Sequence, residues 1–105
     1  MDGNTTLKYL QHDIKEKDYH PELLKDYFLK LSEEVGELSR AMRKGLKATN
    51  PAEIQGTVDE ELWDVIYYAL AIANLYGIDI EQVAKTKSEL SDQKYPTSVK
   101  FETGR

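Results

Sequence analysis

An all-α fold, a bundle of about four helices completed by homo-oligomerisation, is what this sequence predicts, and three observations carry that reading. Apolar residues return at steps of three and four along most of the chain, the spacing of one helix face. Cap and stop residues fall at the ends of those periodic stretches. No strand-like alternation runs far enough to compete with them, and no internal repeat or low-complexity tract interrupts them. At 105 residues the chain reads as one domain, 1–105, with a thin margin of stability on its own.

Leu7, Leu10 and Ile14 mark one face of a first helix over residues 5–17. His20-Pro21-Glu22 is a helix entry, with Pro at the first helical position. From there Leu24, Phe28, Leu31, Val35, Leu38 and Met42 form one apolar stripe on a helix of about six turns. Arg40, Arg43 and Lys44 gather near its end, where they suit the helix dipole, and Gly45 supplies the stop. Residues 45–56 are a connector in which Asn50-Pro51-Ala52-Glu53 has the cap, proline and glutamate of a helix start. Thr57-Val58-Asp59-Glu60 repeats the capping-box pattern and launches a third helix that ends near Tyr76-Gly77. Asp79-Ile80-Glu81-Gln82 caps a fourth, to about Leu90, carrying Ile80, Val83, Ala84 and Leu90. The tail, 97–105, is polar and is expected to be loose and to fold over a site when ligand binds.

The third helix is apolar nearly all round, so it should be central. Three partner helices of this size leave it incompletely covered, and a homodimer or a dimer of dimers is expected. Composition is that of a soluble globular protein, with 40% hydrophobic and 31% charged residues. A formal charge of -5 and the lack of a basic stripe argue against nucleic-acid binding. The absence of Cys excludes disulfides, thiol catalysis and Cys-ligated metal centres. The polar N-terminus has no signal-peptide core, and the apolar stretch 62–76 is too short and Tyr-rich to span a bilayer. No membrane association and a cytoplasmic location are expected.

Two acidic clusters stand out: Glu33, Glu34 and Glu37 on the second helix, then Glu61 and Asp64 at the start of the third. From Leu62 to Tyr76 the only non-aromatic polar residues are Asp64 and Asn74. A carboxylate in such a segment is costly to bury without a positive partner. At about 100° per residue Glu34 lies to one side of the apolar stripe, Glu37 further round, and Glu33 more nearly opposite. Glu34 and Glu37 are i,i+3 neighbours, as are Glu61 and Asp64, so each pair shares one side of its helix. Antiparallel packing of the two long helices would make a four-carboxylate cage, with Glu33 nearby as a supporting group or base. Such a cage suits hard cations, Mg²⁺ first and Mn²⁺ as a substitute. The plainer readings are a solvated face for Glu33 to Glu37 and dipole-favoured acids for Glu61.

Other constellations fit less well. A di-iron bundle needs Glu three residues before His, whereas Tyr9 and Lys17 precede His12 and His20. There is no glycine-rich phosphate loop and no EF-hand loop. Trp63, Tyr67, Tyr68 and Tyr76 read as core or dimer contacts rather than a base-stacking pocket.

The pattern Glu33-Glu34-x-x-Glu37, 23 residues, then Glu61-x-x-Asp64 resembles the signature of MazG-like nucleotide pyrophosphohydrolases, in the all-α NTP pyrophosphatase superfamily. The resemblance continues through Asp64-Val65-Ile66, Ala73-Asn74, Gly77-Ile78-Asp79-Ile80, Lys87 and Lys94-Tyr95-Pro96, and covers residues 22–96. Trp63 replaces a small residue common in relatives and Ser91 a common Asn; both bear on nucleobase preference rather than on metal. The resemblance implies hydrolysis of a nucleoside triphosphate between its α- and β-phosphates, giving the monophosphate and diphosphate. It implies Glu34, Glu37, Glu61 and Asp64 as Mg²⁺ ligands, and Glu33 with Glu34 as the catalytic carboxylates. Lys87 and Lys94 become candidates for phosphate contacts, and Asn74 for a substrate contact, or else for satisfying a backbone group. Two alternatives stay open: a phosphoribosyl-ATP pyrophosphohydrolase, and a non-enzymatic helical interaction module.

Overall fold

The computed structural model describes residues 4–94, of which the helices are α1 (Leu7–Lys17), α2 (Leu24–Lys44), α3 (Val58–Leu75) and α4 (Ile80–Lys94). Single 3₁₀ turns at Pro21–Leu23 and Pro51–Glu53 complete the elements among the described residues, where no strand occurs. The tail 97–105 and the Tyr95-Pro96 pair lie outside the described residues, as does the Lys94 side chain.

Local chemistry sets the helix ends. The Thr6 hydroxyl accepts from the Tyr9 N–H at 3.0 Å, so α1 opens at Leu7 rather than at residue 5. Pro21 begins a 3₁₀ turn, and the α-helix itself follows from Leu24. At the far end of α2, Gly45 takes φ +63°, and the Gly45 and Leu46 N–H groups return to the carbonyls of Met42 and Ala41. Gly77, at φ +66°, ends α3 in the same way. The Asp79 carboxylate caps α4 through the Gln82 N–H at 3.2 Å. That helix runs on to Lys94, past the expected Leu90, since Ser91-Asp92-Gln93 offers no breaker before Pro96.

Helices α2 and α3 form an antiparallel hairpin. Leu24 and Phe28 share a groove with Ile72 and Tyr76 at one end, while the Val58 N–H reaches the Leu46 carbonyl (2.7 Å) at the other. Helix α1 crosses α3 antiparallel, with Gln11 opposite Asn74 and Asp18 opposite Tyr67. The Gln11 amide donates to the Ile78 carbonyl and accepts from the Ile80 N–H, so one side chain fixes the α3–α4 turn onto α1. Helix α4 packs chiefly on α1. The core between α1, α2 and α3 is small: Ile14, Tyr27, Leu70 and Ala71, with Leu10, Tyr67, Tyr68, Ile72, Leu75 and Ile80 packed around it.

The stripe on α2 has a different fate from a core-facing one. The buried residues of the helix, Tyr27 and Ala41, lie beside the stripe; within it Leu24, Leu31 and Leu38 are half-buried, whereas Phe28 (61% exposed), Val35 (50%) and Met42 (63%) face away from the chain's own core. On α3, Leu62, Ile66 and Tyr76 are also exposed. No described helix is long and apolar enough to cross a membrane.

Gln11→Ala removes the partners of a carbonyl and an N–H at the α3–α4 turn, and should destabilise the fold by about 2–3 kcal/mol. Urea denaturation followed by circular dichroism checks this; an unchanged midpoint would show that α1 is held by other contacts.

Candidate metal centre

The hairpin brings Glu34 of α2 against Glu61 and Asp64 of α3, with one carboxylate oxygen from each within 4.8 Å of the others. Glu61 and Asp64 are one turn apart on the face of α3 that meets α2, and Tyr68 continues that face one turn on. The connector sets their register. Asp59, two residues before Glu61, accepts from the Ala48 N–H (2.8 Å) and pairs with Lys47 Nζ (3.1 Å). Those bonds, the N–H first, hold the Asp59 carboxyl below its ordinary range. Thr57 caps the helix through the Glu60 N–H, and Glu60 answers with its carboxylate on the Gly56 N–H at 2.9 Å.

Glu61 is only 5% exposed. Burial first, then the adjoining Glu34 carboxylate and the charges of Glu37, Glu34 and Asp64, push its pKa from the ordinary 4.5 to about 7. Asp64 is raised too, by burial and then by Glu34, Glu60 and Glu37. Burial likewise raises the Tyr68 phenol, against the pull of Lys30. Glu34 Oε2 and Glu61 Oε2 are buried without a hydrogen-bond partner. Two orphaned carboxylate oxygens at a like-charged focus are what a hard, oxygen-seeking cation satisfies, so the residues fit a divalent metal ion.

The other expected site residues lie around or away from this focus. Glu37 is exposed and stays outside the close group, though its charge acts on both Glu61 and Asp64. Glu33 turns outward and pairs with Lys30 Nζ at 3.6 Å. Asn74 is buried toward the other end of α3, and its amide donates to the Gln11 carbonyl at 2.9 Å. That is the backbone-satisfying role. Lys87 stands exposed on α4. One group escaped the sequence: Asp18, which takes hydrogen bonds from Tyr27 and Tyr67. No spacing signals a contact made across 49 residues.

An all-α hairpin that converges three carboxylates, one of them buried, has the form of a helical site for a hard cation. Residues 23–98 match the MazG nucleotide pyrophosphohydrolase domain. Among solved structures, the chain resembles iMazG from Vibrio DAT 722. The Ntag-iMazG crystal structure is 46% identical with a TM-score of 0.82, covering 89% of this chain and 100% of that one. The Ctag-iMazG structure is 46% identical at a TM-score of 0.80, covering 84% and 99%. No curated protein matches the chain. The chain belongs to the MazG family and is a nucleotide pyrophosphohydrolase, which sets aside the interaction-module alternative.

In metal-free protein the native state keeps a proton on Glu61 between about pH 4.5 and about 7 that the unfolded chain has released. Native stability should therefore fall as pH rises through that window. Thermal melts in EDTA at pH 5 and pH 8 measure this, and Glu61→Gln should flatten the dependence.

Proposed function

We propose that the chain is a Mg²⁺-dependent nucleoside triphosphate pyrophosphohydrolase, with Mn²⁺ as a substitute, acting on ribo- or deoxyribonucleotides. The observation that carries this is the pair of buried, unpartnered oxygens of Glu34 and Glu61 beside Asp64. Glu34, Glu61 and Asp64 hold the cation, with Glu37 joining from the solvent side. A bound divalent cation supplies neutralisation of the triphosphate and lowers the pKa of a nearby water. The reaction itself is hydrolysis: a water oxygen bonds to the α-phosphorus, the bond from that phosphorus to the α–β bridging oxygen breaks, and diphosphate leaves. Glu34 and Glu33 are the carboxylates assigned to take the proton from that water. Lys87 and Lys94 are assigned to the outer phosphate oxygens, from α4 of the same or a second copy. Asn74 enters as an anchor for α1 rather than as a substrate contact, because its amide is already engaged.

The acidic cluster also explains why the cation is needed. A triphosphate approaching several carboxylates on a chain of net charge -5 is repelled until metal masks them. Homodimerisation, or assembly as a dimer of dimers, is part of the same proposal. It is supported by the apolar side chains of α2 and α3 that face away from α1, and by a groove of about 490 Å³ among Leu24, Lys25, Phe28, Leu29, Ile72 and Tyr76.

Glu61→Gln and Asp64→Asn keep shape but remove charge, and each should lower turnover by at least about 100-fold with helicity intact. Diphosphate release from a panel of (d)NTPs with MgCl₂ is the assay; wild-type rates in either variant would refute the site. Phe28→Glu should convert the assembly to single 12.1 kDa chains by sedimentation, because a charge cannot be buried there cheaply. An unaltered assembly would place the interface elsewhere.

A further inference from the structure

Asp18 stands just past the end of α1, and both its oxygens are taken by tyrosines from the two helices that carry the carboxylates. Oδ1 accepts from the Tyr27 hydroxyl of α2 at 2.6 Å, and Oδ2 from the Tyr67 hydroxyl of α3 at 2.8 Å. Tyr27 is seven residues before Glu34, on the same line of α2. Tyr67 is three residues after Asp64 on α3. The Tyr27 oxygen also accepts from the His20 N–H at 3.1 Å, which fixes the chain between α1 and α2 to the same point. Burial and then Asp18 push the Tyr27 phenol up to about 12 and raise that of Tyr67 as well, so both remain donors at working pH.

The carboxylates on the two helices repel each other where they meet, and that repulsion pushes α2 and α3 apart at the metal centre. Asp18 counters it a short distance along the same hairpin, by a bridge whose length is set by two short hydrogen bonds. We propose that Asp18 is a positioning residue for the metal centre, holding α2 and α3 at the separation at which Glu34, Glu61 and Asp64 close on one cation. This inference rests on the cation-dependent reading above. It assigns a role to a residue outside the family-matched stretch 23–98.

The test compares two ways of loosening α1. Asp18→Ala and Tyr67→Phe break the bridge beside the carboxylates; Gln11→Ala releases α1 at its other end. Mn²⁺ binding is measured by titration calorimetry on folded protein, and the Mg²⁺ concentration for half-maximal diphosphate release is measured from a dNTP. Asp18→Ala and Tyr67→Phe should weaken Mn²⁺ binding by about tenfold and raise the Mg²⁺ requirement in step, with kcat recovering at saturating metal. Gln11→Ala should lower the melting temperature and leave the Mn²⁺ affinity unchanged. Tyr67→Phe removes a single oxygen, so it decides the matter if Asp18→Ala does not fold. Wild-type Mn²⁺ affinity in the bridge variants, or an equal loss in Gln11→Ala, overturns the proposal and leaves Asp18 a purely structural tie. Wild-type protein that binds no Mn²⁺ and releases no diphosphate overturns the functional reading itself, and this proposal with it.

Discussion

Like charges held close together govern this molecule. Three carboxylates from two helices converge with two oxygens buried and unpartnered, an arrangement that opposes folding wherever it is not neutralised. The rest of the chain is arranged to sustain it. Glycine-terminated helices and a bonded connector align α3 against α2, and α1 braces the pair through Gln11 at one end and Asp18 at the other. Protonation of Glu61 relieves the conflict in the absence of metal, and a cation held there would relieve it more fully by satisfying both oxygens at once.

The second constraint is a shortage of interior. The core holds few large side chains, while Phe28, Met42 and Tyr76 are each more than half exposed. A small chain can leave so much apolar surface uncovered only at a cost in solubility, so a second copy is the natural cover for the side opposite α1. This divides the labour on the hairpin. One side receives α1, the opposite side leaves apolar side chains exposed, and the seam between α2 and α3 gathers the carboxylates.

Much of this was legible before any coordinates. Helical spacing and cap residues located the four described helices, and the isolation of Asp64 among apolar neighbours singled out α3 as one wall of a candidate site. The one-turn offset of Glu61 and Asp64 placed both on the face that meets Glu34, because local periodicity fixes local facing. What spacing on one helix cannot give is the facing of a second helix. The stripe through Phe28, Val35 and Met42 is as periodic as a core stripe, yet it looks outward, since α3 approaches along the line of Tyr27, Glu34 and Ala41. Glu37 falls outside the close group for the same reason. Asp18 and Gln11 were silent in the sequence because their meaning lies in partners many residues away.

The connector has a property that its sequence does not advertise. Bonds from Leu46 and Ala48 to Val58 and Asp59 close its neck, so the stretch from Thr49 to Glu53 is bypassed by the bonds that align the two carboxylate-bearing helices. Doubling the length of such a loop costs only about 0.6 kcal/mol of closure entropy. Residues inserted there therefore lengthen the loop while leaving the meeting of Glu34 with Glu61 and Asp64 unchanged.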